Sequence, residues 1–463
     1  MTPDDSSGFD ALPLKEGLLA NLITLGYDRM TPIQAQGLPL VLKGKDLIAR
    51  AKTGSGKTAT FGLGVLQKLD PQSLAVQALV LCPTRELADQ VGKEMRRLAQ
   101  GIPNVRLLTL TGGKPIGPQK ASLQHGAHIV VGTPGRILDH LQRNTLKLER
   151  LETLVLDEAD RMLDMGFEEA VSDIVAATPR KRQTLLFSAT YPDEIARISR
   201  RVQHQPVTVS VETTHEPGVI EQIFYQVSKH ERHNALIRLF EHYQPSSALV
   251  FCRTRAQCAE VAALLNDRGI SARAIHGELD QRRRDEVLAL FANGSCPVMV
   301  ATDVAARGLD IRSLPMVINY ELPHDPEIYT HRIGRTGRAG ESGLAVSLFL
   351  EGERARLNSI EADTGTPCIE DVPASLDPHP GYQLNATMET IELDAGRKQK
   401  LRPGDVLGAL TGEAGLSGDV VGKIDIFDWS TLVALQRGSA RKALAYFASG
   451  KIKGRRVKAR RLR

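Results

Sequence analysis

The chain has 463 residues, 42% hydrophobic and 24% charged, which is too long for one ordinary core and unremarkable for a soluble protein of two or three domains. Five cysteines (Cys82, Cys252, Cys258, Cys296, Cys368) with no Cys-x-x-Cys pair argue against a zinc site or disulfide framework. No apolar run approaches the roughly 20 residues of a membrane helix. The net charge of +5 is lopsided: residues 386–463 hold 16 Lys/Arg against 8 Asp/Glu, so the last sixth is basic and the remainder slightly acidic, a pattern that suits a polyanion partner.

The start, Met1-Thr2-Pro3-Asp4-Asp5, lacks the basic and apolar regions of a signal peptide, so a cytoplasmic location is expected. Over residues 1–210, short apolar runs at 47–49, 78–81, 128–131, 154–156 and 184–187 alternate with helical patterns. Continuous apolar runs between helices predict an α/β fold with a buried parallel sheet. Residues 211–217 read as a linker. A second series at 248–251, 298–301, 316–318 and 344–348 predicts a second α/β domain over 218–363, with no obvious sequence repeat of the first. Residues 364–385 carry Pro367, Pro373, Pro378 and Pro380 and read as an extended, poorly packed linker. The basic segment 386–463 predicts strands at 388–393, 422–426, 431–435 and 456–459, with helices at 403–410 and 440–448. That βαββαβ order is the layout of a small α+β, RRM-like sandwich.

Two motifs carry the chemistry. Ala51-Lys52-Thr53-Gly54-Ser55-Gly56-Lys57-Thr58 joins a strand to a helix. Glycines there let backbone N–H groups approach phosphates, Lys57 reaches the outer phosphates, and the Thr58 hydroxyl can join a metal's shell. Asp157-Glu158-Ala159-Asp160 follows a strand, with Asp157 placed to hold Mg2+ through water and Glu158 to orient or deprotonate a water. Together they predict ATP hydrolysis, with ATP and Mg2+ as the cofactors.

Asp157-Glu158-Ala159-Asp160 also spells the signature of the DEAD-box RNA helicases of helicase superfamily two, which this chain resembles over about residues 9–345. Around it stand Pro83-Thr84-Arg85-Glu86-Leu87-Ala88, Gly112-Gly113, Thr133-Pro134-Gly135-Arg136 and Ser188-Ala189-Thr190. Further on come Val250-Phe251-Cys252-Arg253-Thr254, the run from Ala301 to Asp310, and His331-Arg332-Ile333-Gly334-Arg335-Thr336-Gly337-Arg338. The resemblance implies two tandem RecA-like domains, the first binding ATP. It assigns adenine recognition to Phe9, Tyr27 and Gln34, with Met30 where the family usually has proline. Thr53, Gly54, Ser55, Gly56, Lys57 and Thr58 would cradle the phosphates, and Asp310 would reach the ribose. Arg335 and Arg338 would act as arginine fingers, and His331 would join the polar network near the tetrad. RNA backbone contacts would come from Arg85, Gly113, Thr133 and Arg136 in the first domain and Arg253, Thr302 and Gly308 in the second. Ser188, Ala189 and Thr190, with Asp160, would couple the nucleotide to RNA.

The ending from Lys451 to Arg463 has eight basic residues in thirteen and no acid. Lys451, Lys453, Arg455, Arg456 and Lys458 are the expected RNA contacts, on an edge strand around Val457 and Ala459. Residues 386–463 resemble the RNA-binding domain of DbpA-type DEAD-box proteins, which implies direction to large-subunit ribosomal RNA in ribosome assembly. Phe427, Trp429, Arg437, Lys442 and Tyr446 are further contact candidates, and the three aromatics equally suit a small core. A monomer is expected. A DNA helicase or a non-hydrolysing RNA clamp are the alternatives; the adenine motif and terminal module favour RNA over DNA, and intact Lys57, Glu158, Arg335 and Arg338 favour hydrolysis.

Overall fold

The computed structural model describes residues 8–51, 54–191, 193–211, 220–306, 314–337 and 342–462. Strands β1 (Leu47–Arg50), β2 (Ala78–Leu81), β3 (Leu107–Leu110), β4 (Ile129–Gly132), β5 (Thr153–Leu156), β6 (Gln183–Ser188) and β7 (Val207–Ser210) form a parallel sheet in the order β3-β4-β2-β5-β6-β1-β7. Strands β2, β4, β5 and β6 are buried along their whole length, because helices cover both faces, and so they read as unbroken apolar runs. The two edge strands, β3 and β7, are partly exposed and give no such run, so sequence patterning missed them. Neighbouring side chains point to opposite faces: Val80 joins a core with Phe61 and Phe187, whereas Leu79 joins another with Leu154 and Leu186. The Phe61 and Phe187 rings meet edge-on at 5.3 Å.

Strands β8 (Ile220–Gln226), β9 (Ala248–Phe251), β10 (Ala272–Ile275), β11 (Val298–Ala301), β12 (Met316–Asn319), β13 (Gly343–Phe349) and β14 (Ile369–Asp371) form a second parallel sheet, ordered β10-β11-β9-β12-β13-β8-β14. Counted from its own first strand, this order is identical to that of the first sheet. The seventh strand comes from the proline-rich segment, where a poorly packed linker was expected. β14 pairs with β8, Leu376 is buried in the second core with Tyr382 and Leu384 packed on it, and Arg238 donates to the Leu376 carbonyl at 2.9 Å. Prolines prevent a long helix here, allowing only the single 3-10 turn Pro373–Ser375, but leave an extended strap free to pack.

The chain divides into two compact units near residue 214, the second holding both the second parallel sheet and the C-terminal module. In the module, β15 (Met388–Leu393), β16 (Val421–Ile426), β17 (Thr431–Gln436) and β20 (Ala459–Arg461) form an antiparallel sheet ordered β16-β17-β15-β20. Helices Pro403–Gly408 and Ala440–Ser449 pack on one face, over Ile391, Leu393, Val433 and Leu435. The expected last strand at 456–459 is displaced. Residues β18 (Lys451–Ile452) and β19 (Arg455–Arg456) instead fold back as a separate ribbon, and the edge strand begins at Ala459. Lys453 and Gly454, both left-handed at φ 51° and 76°, make that reversal.

The sheet's other face is covered from within the same unit. Asn293 donates to the Thr390 hydroxyl at 3.0 Å, the Ser295 hydroxyl lies 2.8 Å from it, and Arg282 donates to Glu392 at 2.7 Å. Arg460 binds the other oxygen of Glu392 at 2.6 Å.

Candidate functional site

Apart from the adenine motif, the motifs of the first unit follow the carboxyl ends of parallel strands: the phosphate loop after β1, Thr84-Arg85 after β2, Gly112-Gly113 after β3, Thr133 after β4, the acidic tetrad after β5 and Ala189-Thr190 after β6. Parallel strands put all these ends on one edge, the usual ligand crevice of such sheets.

Gly56 precedes the helix Lys57–Lys68 with φ +95°, and a Cβ there would fall 2.5 Å from Gln34 Nε2 and 2.7 Å from Thr31 Oγ1. That closeness is used for hydrogen bonding. Gln34 Nε2 donates to the Gly56 carbonyl at 3.3 Å, its Oε1 accepts from Thr31 N at 2.8 Å, and the Thr31 hydroxyl donates to Ser55 O at 2.7 Å. The residue assigned to adenine by family resemblance is thus bonded directly to the phosphate loop. An amide keeps one further N–H and one lone pair for a ligand. Phe9 is buried and meets Tyr27 edge-on at 6.0 Å, and the Tyr27 hydroxyl donates to Glu94 at 2.7 Å.

Three buried polar atoms around the loop, Ser55 Oγ, Lys57 Nζ and Asp157 Oδ1, have no hydrogen-bond partner among the described residues. Burial pushes the Asp157 carboxyl up to about 7, opposed by Lys57 and reinforced by Glu158. A buried cation and carboxylate oxygen left without partners fit a triphosphate and a divalent ion: phosphate oxygens would satisfy Lys57, and a hydrated Mg2+ would satisfy Asp157 with the Thr58 hydroxyl. No cluster of three or more His, Cys, Asp or Glu suited to holding a metal alone exists among the described residues.

Glu158 is left-handed at φ 52° and ψ 54°, and its carboxylate accepts from Arg161 at 2.8 Å in a pair whose side chains are each 5% exposed. Asp160 is a hub. Its Oδ2 accepts from Ala189 N and Thr190 N, both at 3.0 Å, and from the Thr190 hydroxyl at 3.2 Å, while its backbone N–H donates to Ser188 Oγ at 3.3 Å. The tetrad and the Ser188–Thr190 turn are one bonded cluster.

The RNA-contact candidates of the first unit also gather. The Arg85 guanidinium packs beside Gly112, Gly113 is exposed, Arg136 donates to the Lys114 carbonyl at 3.1 Å, and Thr133 caps the helix Pro134–Gln142. Beneath them Gln119 donates to Thr111 O at 3.0 Å and lies 3.2 Å from His140 Nε2. Neither Gln119 nor His140 carries a sequence signal, since their meeting depends on two separate helices.

In the second unit, Arg253 is exposed beyond β9 and Thr302 follows β11. His331 lies on the helix Pro326–Ile333, and Arg335 just beyond it is buried. Arg332, quoted above without a role, is the keystone there: it donates to both oxygens of Asp303 at 2.7 and 2.9 Å, to Asn319 Oδ1 at 3.0 Å and to the Glu321 carbonyl at 2.9 Å. Thr53, Gly308, Asp310, Arg338 and the linker at 212–217 lie outside the described residues.

In the C-terminal module Lys451, Lys453, Arg455, Arg456 and Lys458 are exposed, and Lys453 also pairs with Asp405 at 2.7 Å. Arg437 is exposed, Lys442 donates to the Gly415 carbonyl at 2.6 Å, and Tyr446 packs on Phe447 with its hydroxyl 2.7 Å from Glu413.

Three family descriptions match the chain: DEAD/DEAH box helicase over residues 31–198, helicase conserved C-terminal domain over 231–340, and DbpA RNA binding domain over 390–461. The chain is 52% identical over 451 residues to the ATP-dependent RNA helicase DbpA of Escherichia coli strain K12, covering 96% of this chain and 97% of that protein. It is 47% identical over 357 residues to the ATP-dependent RNA helicase CshA of Listeria monocytogenes, covering 77% of this chain and 68% of that one. Among solved structures, S. cerevisiae Dbp5 bound to RNA and ADP BeF3 superposes with a TM-score of 0.73 at 28% identity, over 79% of this chain and 96% of that chain. With its acidic tetrad bonded to the Ser188–Thr190 turn, its phosphate loop and its matched RNA-binding module, the chain belongs to the DEAD-box family of ATP-dependent RNA helicases, as a member of the DbpA type.

Proposed function

We propose that this RNA helicase opens short duplexes locally rather than by translocation, and that residues 386–463 anchor it to large-subunit ribosomal RNA during ribosome assembly in the cytoplasm. The observation that carries the local-opening reading is the Asp160 hub. One carboxylate holds two backbone N–H groups and a hydroxyl of the Ser188–Thr190 turn, so a shift of the tetrad is transmitted to that turn without slack.

In this reading Gln34 selects adenine, and Lys57 and the loop N–H groups bind the phosphates. Asp157 and the Thr58 hydroxyl would hold Mg2+, which would supply charge neutralisation at the phosphates. Glu158 orients the attacking water and takes its proton. Arg335 and Arg338, contributed by the second unit, stabilise the transferring phosphoryl group. Fingers of this kind raise related rates by about 10³–10⁵. Asp310 and His331 complete the nucleotide contacts. Arg85, Gly113, Thr133, Arg136, Arg253, Thr302 and Gly308 grip RNA backbone without reading sequence, and the chain acts as a monomer. Because ATP and RNA favour one state, each tightens the other's binding.

The test is unwinding against duplex length, with the same single-stranded anchor throughout. Separation that falls steeply beyond about one helical turn of RNA duplex fits local opening. Equal rates on long duplexes would refute it. For the anchor, ATPase stimulation by large-subunit ribosomal RNA fragments is compared with unrelated RNA of equal length. The preference should vanish when 386–463 is deleted, while stimulation by unrelated RNA persists.

A further inference from the structure

In the C-terminal module, bases have no open sheet to lie on, since Asn293, Ser295 and Arg282 bond to Thr390 and Glu392 on its outer face. Three of its four aromatics are also committed. Phe447 is in the core, Tyr446 packs on it at 5.0 Å between ring centres, and Phe427 is half-buried. Trp429, the chain's single tryptophan, is 67% exposed and is the one aromatic among the large exposed apolar side chains of the described residues.

Its setting is built, not slack. Trp429 sits on the turn between β16 and β17, closed by Phe427 N donating to Ser430 O at 2.8 Å. A second loop is laced to that turn: Arg397 N donates to Phe427 O at 2.8 Å, Lys398 N to Asp428 O at 2.9 Å, and the Arg397 guanidinium to Ile426 O at 2.9 Å. Gly396 permits the approach, because a Cβ there would lie 2.4 Å from the Phe427 carbonyl oxygen. The backbones of two exposed cationic residues are thereby fixed against the turn that carries the exposed indole. The one carboxylate in the cluster, Asp428, reaches Arg397 only at 4.0 Å, in a solvated pair that leaves the guanidinium available.

We propose that Trp429, Arg397 and Lys398 form a binding site for single-stranded RNA, the indole stacking on an unpaired base and the two cations holding its flanking phosphates. An exposed ring joined to positive charge is the combination that binds single strands regardless of sequence, since every base has a π-face and every nucleotide a phosphate. A paired base keeps its faces inside the helix, so the site favours loops and tails over duplex. This deepens the reading of 386–463 as an RNA anchor and rests on it.

The lone tryptophan makes the test direct. Full-length protein without ATP is titrated with an end-labelled RNA hairpin carrying a single-stranded tail, and with a blunt duplex of the same composition. Label anisotropy and tryptophan emission are recorded together. Expected is saturable quenching by the tailed hairpin that follows the anisotropy curve, and little quenching by the duplex. Trp429→Ala should weaken tailed-hairpin binding about 10- to 100-fold, with Trp429→Tyr restoring most of it. The double variant Arg397→Ala, Lys398→Ala should lower the salt slope of log affinity by about 1.4. Rising anisotropy with unchanged emission and an unaffected Trp429→Ala variant overturns the stacking site but leaves the anchor reading intact. Equal quenching by the blunt duplex also overturns it. Absence of binding in both channels overturns the anchor reading and this site together. Emission that responds only to added RNA-free ribosomal protein would assign the platform to a protein partner and overturn the proposal.

Discussion

Arg161 donates to Glu158 at 2.8 Å, and both side chains are almost wholly buried. Removing one partner of such a pair leaves the other as an uncompensated buried charge, at a cost of about 3–5 kcal/mol. Arg161→Met should therefore lower stability by an amount in that range, read from chemical denaturation. Arg161 also fixes the carboxylate assigned to the attacking water, so the surviving folded fraction should hydrolyse ATP slowly in single turnover while binding it normally. Arg161→Lys keeps charge but not the fork geometry and should fall between. A variant as stable and as fast as the parent would show that the pair is ornamental.

The Asp160 hub gives a second expectation. Hydrogen bonds to a charged group contribute about 1.5–3 kcal/mol each. Asp160→Asn removes the charge while preserving shape, and Thr190→Val deletes one donor at 3.2 Å. Both should reduce strands separated per ATP hydrolysed more than they reduce hydrolysis itself. The measurement is parallel unwinding and phosphate release on one substrate. Proportional loss of both activities would place the hub in the hydrolysis step alone.

The Gln119–His140 pair underlies two turns assigned to RNA by family resemblance, since Gln119 holds Thr111 O and His140 lies on the helix begun by Thr133-Pro134. The Gln119 oxygen accepts, so His140 Nε2 carries a proton, and Nδ1 lies 2.8 Å from the Thr145 hydroxyl, which donates to the His140 carbonyl at 3.1 Å. Burial, then Arg136, keeps this imidazole below its ordinary value of 6.5. A depressed histidine gives stability that is present above the unfolded value and lost as pH falls below it through the folded value. Gln119→Leu should raise the RNA concentration for half-maximal ATPase several-fold and leave the ATP requirement unchanged, and the parent should lose RNA affinity only as pH falls through the folded imidazole's value, which lies below 6.5. If His140→Gln abolishes neither that acid sensitivity nor any RNA affinity, the pair has no positioning role.

How much was legible follows from where each signal resides. The acidic tetrad follows the fully buried β5, the Ser188–Thr190 turn closes the fully buried β6, and the phosphate loop follows β1, buried up to Arg50, so local pattern and local chemistry coincide. The proline-rich strap did not read as packed, because the burial of Leu376 depends on Tyr225, Phe240 and neighbours far away in sequence. Arg332 stood inside a quoted motif, yet its role needed Asp303, Asn319 and Glu321, which two other segments bring to it. Arg161 was the nearest miss: its i,i+3 spacing from Glu158 was visible, but only burial turns such spacing from a solvated pair into a structural one. In the basic tail, charge was legible and register was not, since the Lys453-Gly454 reversal moved the last strand to Ala459.

The covered outer face of the C-terminal sheet yields the last expectation. Glu392 lies between Arg282 of the second helicase region and Arg460 of the module's own edge strand, and Thr390 meets Asn293 and Ser295. These contacts join an RNA-binding module to a helicase region by more than a tether. A flexible tether would raise only the local RNA concentration, whereas a docked module also fixes the direction from which the duplex is presented. Glu392→Arg places a third positive group beside Arg282 and Arg460 and should release the docking. Affinity for an anchored RNA should then change little, because the exposed cations and Trp429 lie elsewhere. Unwinding of a duplex at fixed distance from the anchor should fall severalfold, and lengthening the spacer between anchor and duplex should restore it in the variant but not improve the parent. Equal spacer dependence in both proteins would mean that the contacts hold the module in place without aiming what it binds.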